Sequence, residues 1–205
     1  LRAFQNMVLM APADEPELLA ALRLGQQLEQ PYTIRYPRDS VPDPYGEAPP
    51  FHVGKSRTMR EGVDATLLAY GATVQSALEA AQTLEAEGID ACVVNARFAK
   101  PIDEDMLTTA ITRGTPVLTI EDHSVAGGFG SAVLETANRL GLPTDGIIRL
   151  GLAENRFYRH GSRAWQMAEA GIDAAGIALA VRRAVKAARE ALSNGEPAPR
   201  ERSST

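Results

Sequence analysis

Two short stretches gather side chains that could do chemistry. The first is Glu121-Asp122-His123, followed closely by glycines at 127, 128 and 130. A histidine beside carboxylates can move protons near neutral pH, and the same three groups could ligate a metal. Three adjacent residues in an extended chain do not converge on one point, however, because successive side chains face opposite ways. The other histidines, His52 and His160, and the single cysteine, Cys92, show no zinc spacing. An interface or channel-lining role is the expectation for Glu121, Asp122 and His123, with no catalytic, metal-binding or cofactor-binding residue assigned. The second stretch is Arg35-Tyr36-Pro37-Arg38. Guanidinium groups are permanently charged forks that suit phosphate or carboxylate. Two readings stand for this pair: an anion clamp, or surface arginines neutralised by Asp39 and Asp43.

Other candidates are weaker. Glycines ahead of a helix invite a phosphate-cradle reading, since free N–H groups there attract anions. The spacing is G-G-x-G rather than G-x-G-x-x-G, no P-loop lysine follows, and the acidic residues before the turn would repel a phosphate. The glycines are expected to let a helix pack close to a strand. Ser131 and Ser162 lie outside any G-x-S-x-G elbow. Arg97 and Lys100 leave a strand tip and either meet a partner's carboxylate or bridge loops. Residues 155–163 form a loop dense in polar and aromatic groups, a docking surface to which His160 belongs as a further interface candidate.

Alternating strand and helix patterns must position these groups. Met7 to Met10 reads as a strand, Asp14 with Glu17 as a capping box, and Leu18, Leu19 and Leu22 as the inward face of a helix ending near Gln30. Tyr32 to Tyr36 is a second strand. This βαβ piece, residues 1–40, is too small to fold alone. Residues 41–62 are proline-rich and read as a linker with an edge strand near Val53 to Met59. From residue 63 to 192 the alternation becomes regular. Strands are expected at Ala65–Tyr70, Ala91–Asn95, Val117–Ile120 and Ile147–Leu150. Helices are expected after Thr73, Asp103, the glycine turn and Asp173, with stops at Gly88, Gly114 and Gly141. The fold class is α/β, a mostly parallel sheet with helices on both faces. Residues 193–205 carry no apolar pattern and read as a disordered tail.

The totals set bounds. The 205 residues are 44% hydrophobic and carry a net charge of -5, which disfavours nucleic acid or an anionic membrane as partner. One cysteine fits a reducing, cytoplasmic setting, and no apolar run approaches the roughly 18 residues of a membrane span. The chain opens at Leu1 without a signal-peptide pattern, and Leu1 reads as an internal position of something longer.

Five stretches in order carry a resemblance: N-M-V-L-M-A-P-A-D-E, I-R-Y-P-R, V-V-N-A-R-F-A-K-P-I-D, T-I-E-D-H-S-V-A-G-G-F-G-S-A-V-L-E and N-R-F-Y-R-H-G-S-R. Together they resemble the carboxyl-terminal part of the 1-deoxy-D-xylulose-5-phosphate synthase family, transketolase-like enzymes that use thiamine diphosphate and Mg²⁺. The resemblance implies a cytoplasmic homodimer condensing pyruvate with glyceraldehyde 3-phosphate and releasing CO₂. It also implies that the chain holds the end of a pyrimidine-binding domain and a transketolase C-terminal domain. In that family the second arginine of R-Y-P-R contacts the acceptor phosphate, a role that falls on Arg38, with Arg35 as a supporting substrate-binding candidate. Asp39 stands where glycine is common and is placed to pair with Arg38 when no ligand is bound. Asn155 replaces a common aspartate. The family's G-D-G…N motif and its cofactor-activating glutamate are not in this chain, so the fragment alone is expected to be inactive. The alternative is a non-catalytic assembly subunit of a split transketolase-like or E1β-type enzyme.

Overall fold

A computed structural model describes residues 1–46 and 49–194. The chain opens with strand β1 (Val8–Met10), helix α1 (Glu15–Gly25) and strand β2 (Tyr32–Ile34), and β1 and β2 pair in parallel. Asp14 caps α1 by accepting from the Glu17 N–H at 2.9 Å. The buried positions of α1 are Glu17, Ala21 and Gly25, while Leu19 and Leu22 are exposed. The expected leucine face and the expected end near Gln30 are both corrected. A buried glutamate on the inward face breaks the hydropathy pattern. The last helical residue is Gly25, where a Cβ would run into the Tyr32 ring, so the helix end packs directly on β2.

After the proline-rich segment the strand β3 (Arg57–Arg60) lies antiparallel to β5 (Ala91–Asn95), which pairs in parallel with β4 (Ala65–Ala69). Between them runs α2 (Thr73–Glu85). Thr73 does not cap this helix as expected. It occupies the first turn, its hydroxyl 3.1 Å from the Tyr70 N–H and 3.0 Å from the Ile120 carbonyl.

Beyond β5 the chain reverses at Arg97, which has φ 57°, and enters β6 (Phe98–Lys100). This strand joins the other sheet, antiparallel to β1, to give the order β2-β1-β6. The front βαβ piece thus takes its third strand from far along the chain. Sequence periodicity places only a loop there, because three residues show no alternation.

Helix α3 (Glu104–Thr112), strand β7 (Val117–Ser124), helix α4 (Phe129–Arg139) and strand β8 (Ile147–Leu152) follow. The main sheet has the order β3-β5-β4-β7-β8, parallel except for β3. A short α5 (Arg163–Ala170), capped by Ser162 and closed by Gly171 at φ 70°, precedes α6 (Ala174–Ser193). The sequence does not predict α5, because only Met167 of that helix is buried. Helix α6 runs through Ser193, where a disordered tail is expected to begin, and the rest of that tail lies outside the described residues.

Helices cover both faces. Val74 and Leu84 of α2 and Ile177 and Val181 of α6 pack on Leu67, Val93 and Ile120. Leu107 of α3 and Phe129 and Val133 of α4 pack on Leu68 and Val94 from the other side. Buried on both faces, these strands read as unbroken apolar runs. Strand β4 has β5 on one side and β7 on the other, the switch point at whose carboxyl edge α/β folds usually open a crevice. Here the front piece sits on that edge. A Cβ on Gly71, just after β4, would come within 2.8 Å of the Ala11 Cβ.

Candidate functional site

Strand β7 runs on through Ser124, so Glu121, Asp122 and His123 belong to it and alternate in direction. Glu121 and His123 share a face. The Glu121 carboxylate, fully buried, accepts from the first amides of α4: Phe129 N–H at 2.7 Å and Gly130 N–H at 2.9 Å. His123 Nδ1 lies 3.0 Å from Glu121 Oε2 and 3.0 Å from the Ser124 carbonyl. Both neighbours are acceptors, so Nδ1 carries the proton and Nε2 is left as the ring's lone pair when the imidazole is neutral. The three residues do not meet at one point: Glu121 and His123 share one side of the strand and Asp122 takes the other. Burial pushes the Glu121 pKa above its usual range, partly offset by the Gly130 and Phe129 amides and by His123.

This geometry accounts for the glycines. A Cβ on Gly128 would collide with the Glu121 carboxylate and the Ser124 carbonyl. One on Gly130 would lie 2.6 Å from Thr119 Oγ1, so helix and strand pack close there. The helix start is an anion site, and the anion is the protein's own carboxylate. Tyr70 completes the cluster, stacked on Phe129 at 5.0 Å and edge-on to His123 at 6.4 Å.

Asp122 faces the other way, toward the front piece. One oxygen takes Arg35 Nη1 at 2.5 Å and the other takes Arg163 Nη2 at 2.8 Å. Its backbone carbonyl accepts from Arg35 Nη2 at 3.3 Å. Burial would raise the Asp122 pKa, but Arg35 and Arg163 outweigh it and hold the carboxylate below its usual range. Arg163 also places Nη1 3.7 Å from Asp39 Oδ2, while Asp39 Oδ1 accepts from the Ser40 N–H at 2.8 Å. The expected Asp39–Arg38 pairing gives way to Asp39–Arg163. The segment from Arg35 to Asp39 is an arc tied to Asp122 at both ends, directly by Arg35 and through Arg163 by Asp39. Arg38 lies within the arc, exposed, with no hydrogen bond or ion pair among the described residues.

A second charged cluster escapes sequence reasoning. Glu17 and Arg97, both essentially fully buried, pair at 2.9 Å through Nε and 2.8 Å through Nη2. The other Glu17 oxygen accepts from Asn95 Nδ2 at 2.7 Å and from the Ala13 N–H at 3.1 Å. Glu17 therefore does not close the expected capping box on Asp14. The Arg97 guanidinium also covers the Phe51 ring at 4.7 Å. This network joins α1, the proline-rich segment and β5, and the only sequence signal for it is a charged pair at element ends. Lys100 Nζ donates within the chain to the Arg2 and Phe4 carbonyls at 2.9 and 2.6 Å.

His160 sits exposed in the loop between β8 and α5, with no hydrogen bond or ion pair among the described residues. The structure does not bring it into the Glu121–His123 cluster. In the same loop Arg156 pairs with Glu169 at 2.7 Å, and Phe157 is fully exposed. No helix among the described residues is long and apolar enough to cross a membrane.

Residues 54–177 match the family described as "Transketolase, C-terminal domain". The chain is 46% identical over 182 residues to the 1-deoxy-D-xylulose-5-phosphate synthase of Thermomicrobium roseum, a match covering 87% of this chain and 28% of that protein. The synthase of Thermus thermophilus is 44% identical over 182 residues, with 88% and 28% covered. The matched region is the carboxyl-terminal portion of such relatives. Among solved structures, "Split gene transketolase, inactive beta4 tetramer" superposes with a TM-score of 0.80 at 34% identity, covering 90% of this chain and 59% of that one. A Pichia stipitis transketolase in complex with xylulose 5-phosphate shares the fold, with a TM-score of 0.69 at 21% identity over 92% of this chain and 26% of its own.

Proposed function

This chain belongs to the transketolase C-terminal domain family, and on that premise we propose that it is the carboxyl-terminal part of a 1-deoxy-D-xylulose-5-phosphate synthase that presents Arg38 to the acceptor phosphate. The chain spans about 28% of the length of curated relatives such as the Thermomicrobium roseum enzyme. The complete enzyme would be a cytoplasmic homodimer joining pyruvate to glyceraldehyde 3-phosphate with loss of CO₂, feeding isoprenoid, thiamine and pyridoxal phosphate synthesis. Residues 1–40 would end its pyrimidine-binding domain and residues 63–192 would form its C-terminal domain.

One observation carries the reading. Arg38 is an exposed, unpaired guanidinium among the described residues, on an arc whose flanks are anchored. A forked, permanently charged donor suits a phosphate dianion. Arg35, with both terminal nitrogens on Asp122, holds the arc. The residues present do not fit thiamine diphosphate and Mg²⁺. The helix start behind the glycine turn is filled by Glu121, and the described residues include no cluster of three or more His, Cys, Asp or Glu groups suited to a metal. We assign the cofactor and its metal to other segments of the complete enzyme, and expect this chain alone to be inactive. In the complete synthase, Arg38→Ala should raise KM for glyceraldehyde 3-phosphate roughly 10-fold or more and leave KM for pyruvate within about twofold. Equal effects on both substrates would contradict the assignment.

A second reading is supported by the split-gene relative, whose structure is an inactive tetramer of one subunit type. This chain would then be an assembly subunit that needs a separately encoded partner. Turnover appearing only when the chain is mixed with such a partner would establish that reading, and no co-purification with one would exclude it.

A further inference from the structure

We infer that Arg163 is a positioning residue of the acceptor-phosphate site: it holds the Asp39 carboxylate away from Arg38 and so keeps Arg38 available to the anion. The inference rests on the reading of Arg38 as the phosphate ligand.

Asp39 is the immediate neighbour of Arg38, and a carboxylate left free there would compete with an incoming anion for the guanidinium. Both Asp39 oxygens are claimed. Oδ1 takes the Ser40 N–H at 2.8 Å, and Oδ2 lies 3.7 Å from Arg163 Nη1, within ion-pair but beyond hydrogen-bond distance. Arg163 can do this because its other terminal nitrogen is held by Asp122 at 2.8 Å, and the Asp122 side chain is only 8% exposed. Ser162 caps α5 one residue earlier, accepting from the Trp165 N–H at 3.3 Å, so the backbone that carries Arg163 is also set.

The charges alternate along the cluster as Arg35, Asp122, Arg163, Asp39, and Arg38 is left as the unmatched positive charge. If Asp39 swung onto Arg38, the site would lose that charge and set a carboxylate against the incoming dianion. Arg163 therefore acts on the ligand through Asp39, and its effect should vanish when Asp39 carries no charge.

The test is a double-mutant cycle on the 205-residue chain. Inorganic phosphate is titrated while the Arg38 Nε–Hε resonance is followed by NMR, assigned by its loss in Arg38→Lys. We expect phosphate to shift that resonance, and Arg163→Gln to weaken the apparent affinity about threefold to fivefold. In the Asp39→Asn background the same Arg163→Gln change should alter affinity by less than about twofold. Amide spectra of all variants should match the parent. If phosphate leaves the Arg38 resonance unmoved in the unaltered chain, the phosphate reading itself fails and takes the inference with it. If phosphate binds and Arg163→Gln binds equally well, only the inference is overturned. An Arg163→Gln loss of the same size with and without the Asp39 charge would mean that Arg163 acts through the fold, and would also overturn it.

Discussion

Glu17 and Arg97 form an ion pair at 2.8 Å in which neither side chain is more than 2% exposed. The pair ties α1 to the turn between β5 and β6, where the front sheet and the main sheet meet. Removing one partner strands a buried charge, which typically costs about 3–5 kcal/mol, whereas replacing both by apolar groups often costs far less. Arg97→Met and Glu17→Leu should each lower stability by roughly that amount in urea unfolding, and the double variant should lose less than the sum of the two. The surface pair Arg182–Glu87, at 2.6 Å but more than a third exposed on both sides, should give a far smaller loss when broken, because solvent screens it. Equal losses for the two pairs would contradict the burial argument.

Asp122 gives a pH dependence of defined sign. Its folded pKa lies below the free value of about 3.9, so between the two the unfolded chain binds more protons. Its contribution to stability is complete above the free value and is lost as pH falls through the lower folded one. Asp122→Asn should therefore be less stable than the parent at neutral pH, and the gap should close as the medium is acidified below about pH 4. Urea unfolding at both ends of that range measures it. A gap that is constant with pH would mean that the charge of Asp122 does not hold Arg35 and Arg163.

Gly128 and Gly127 should respond differently. A Cβ at Gly128 meets the Glu121 carboxylate and lies 2.7 Å from the His123 ring, so Gly128→Ala should cost about 1–3 kcal/mol. Gly127 has φ 66° and open space around it, so Gly127→Asn should be tolerated within about 1 kcal/mol because asparagine enters the left-handed region readily. Thermal unfolding of the two variants checks both. The reverse order would contradict the placement of Glu121 at the helix start.

The His123 tautomer follows from its neighbours. Nδ1 faces the Glu121 carboxylate and the Ser124 carbonyl, both at 3.0 Å, so it must donate. Nitrogen-15 shifts of the neutral ring should show a protonated Nδ1 and an unprotonated Nε2. The opposite tautomer would mean that the Glu121–His123 contact is not formed.

What the sequence displays and what it conceals have physical causes. The central strands β4 and β5 are near-continuous apolar runs because both their faces are covered, and Gly88, Gly114 and Gly141 end helices with φ of 75°, 72° and 70°. Local composition makes both legible. Leu19 and Leu22 look inward by periodicity, yet Glu17 takes the buried side of α1 because its partner, Arg97, arrives from 80 residues away. Strand β6 is hidden for the same reason, since its pairing with β1 is non-local. At the site, R-Y-P-R is visible as a pair of forks beside a rigid proline. That Arg35 is engaged while Arg38 is not depends on Asp122 and Arg163, which no spacing in the chain connects to them.

The most direct measurement compares glyceraldehyde 3-phosphate with unphosphorylated glyceraldehyde as acceptors in a complete synthase that carries Arg38→Ala. If Arg38 holds the phosphate, kcat/KM for the phosphorylated acceptor should fall about 10-fold or more while that for glyceraldehyde stays within about twofold, so the preference collapses. A preference that survives the substitution intact would show that the phosphate is held elsewhere.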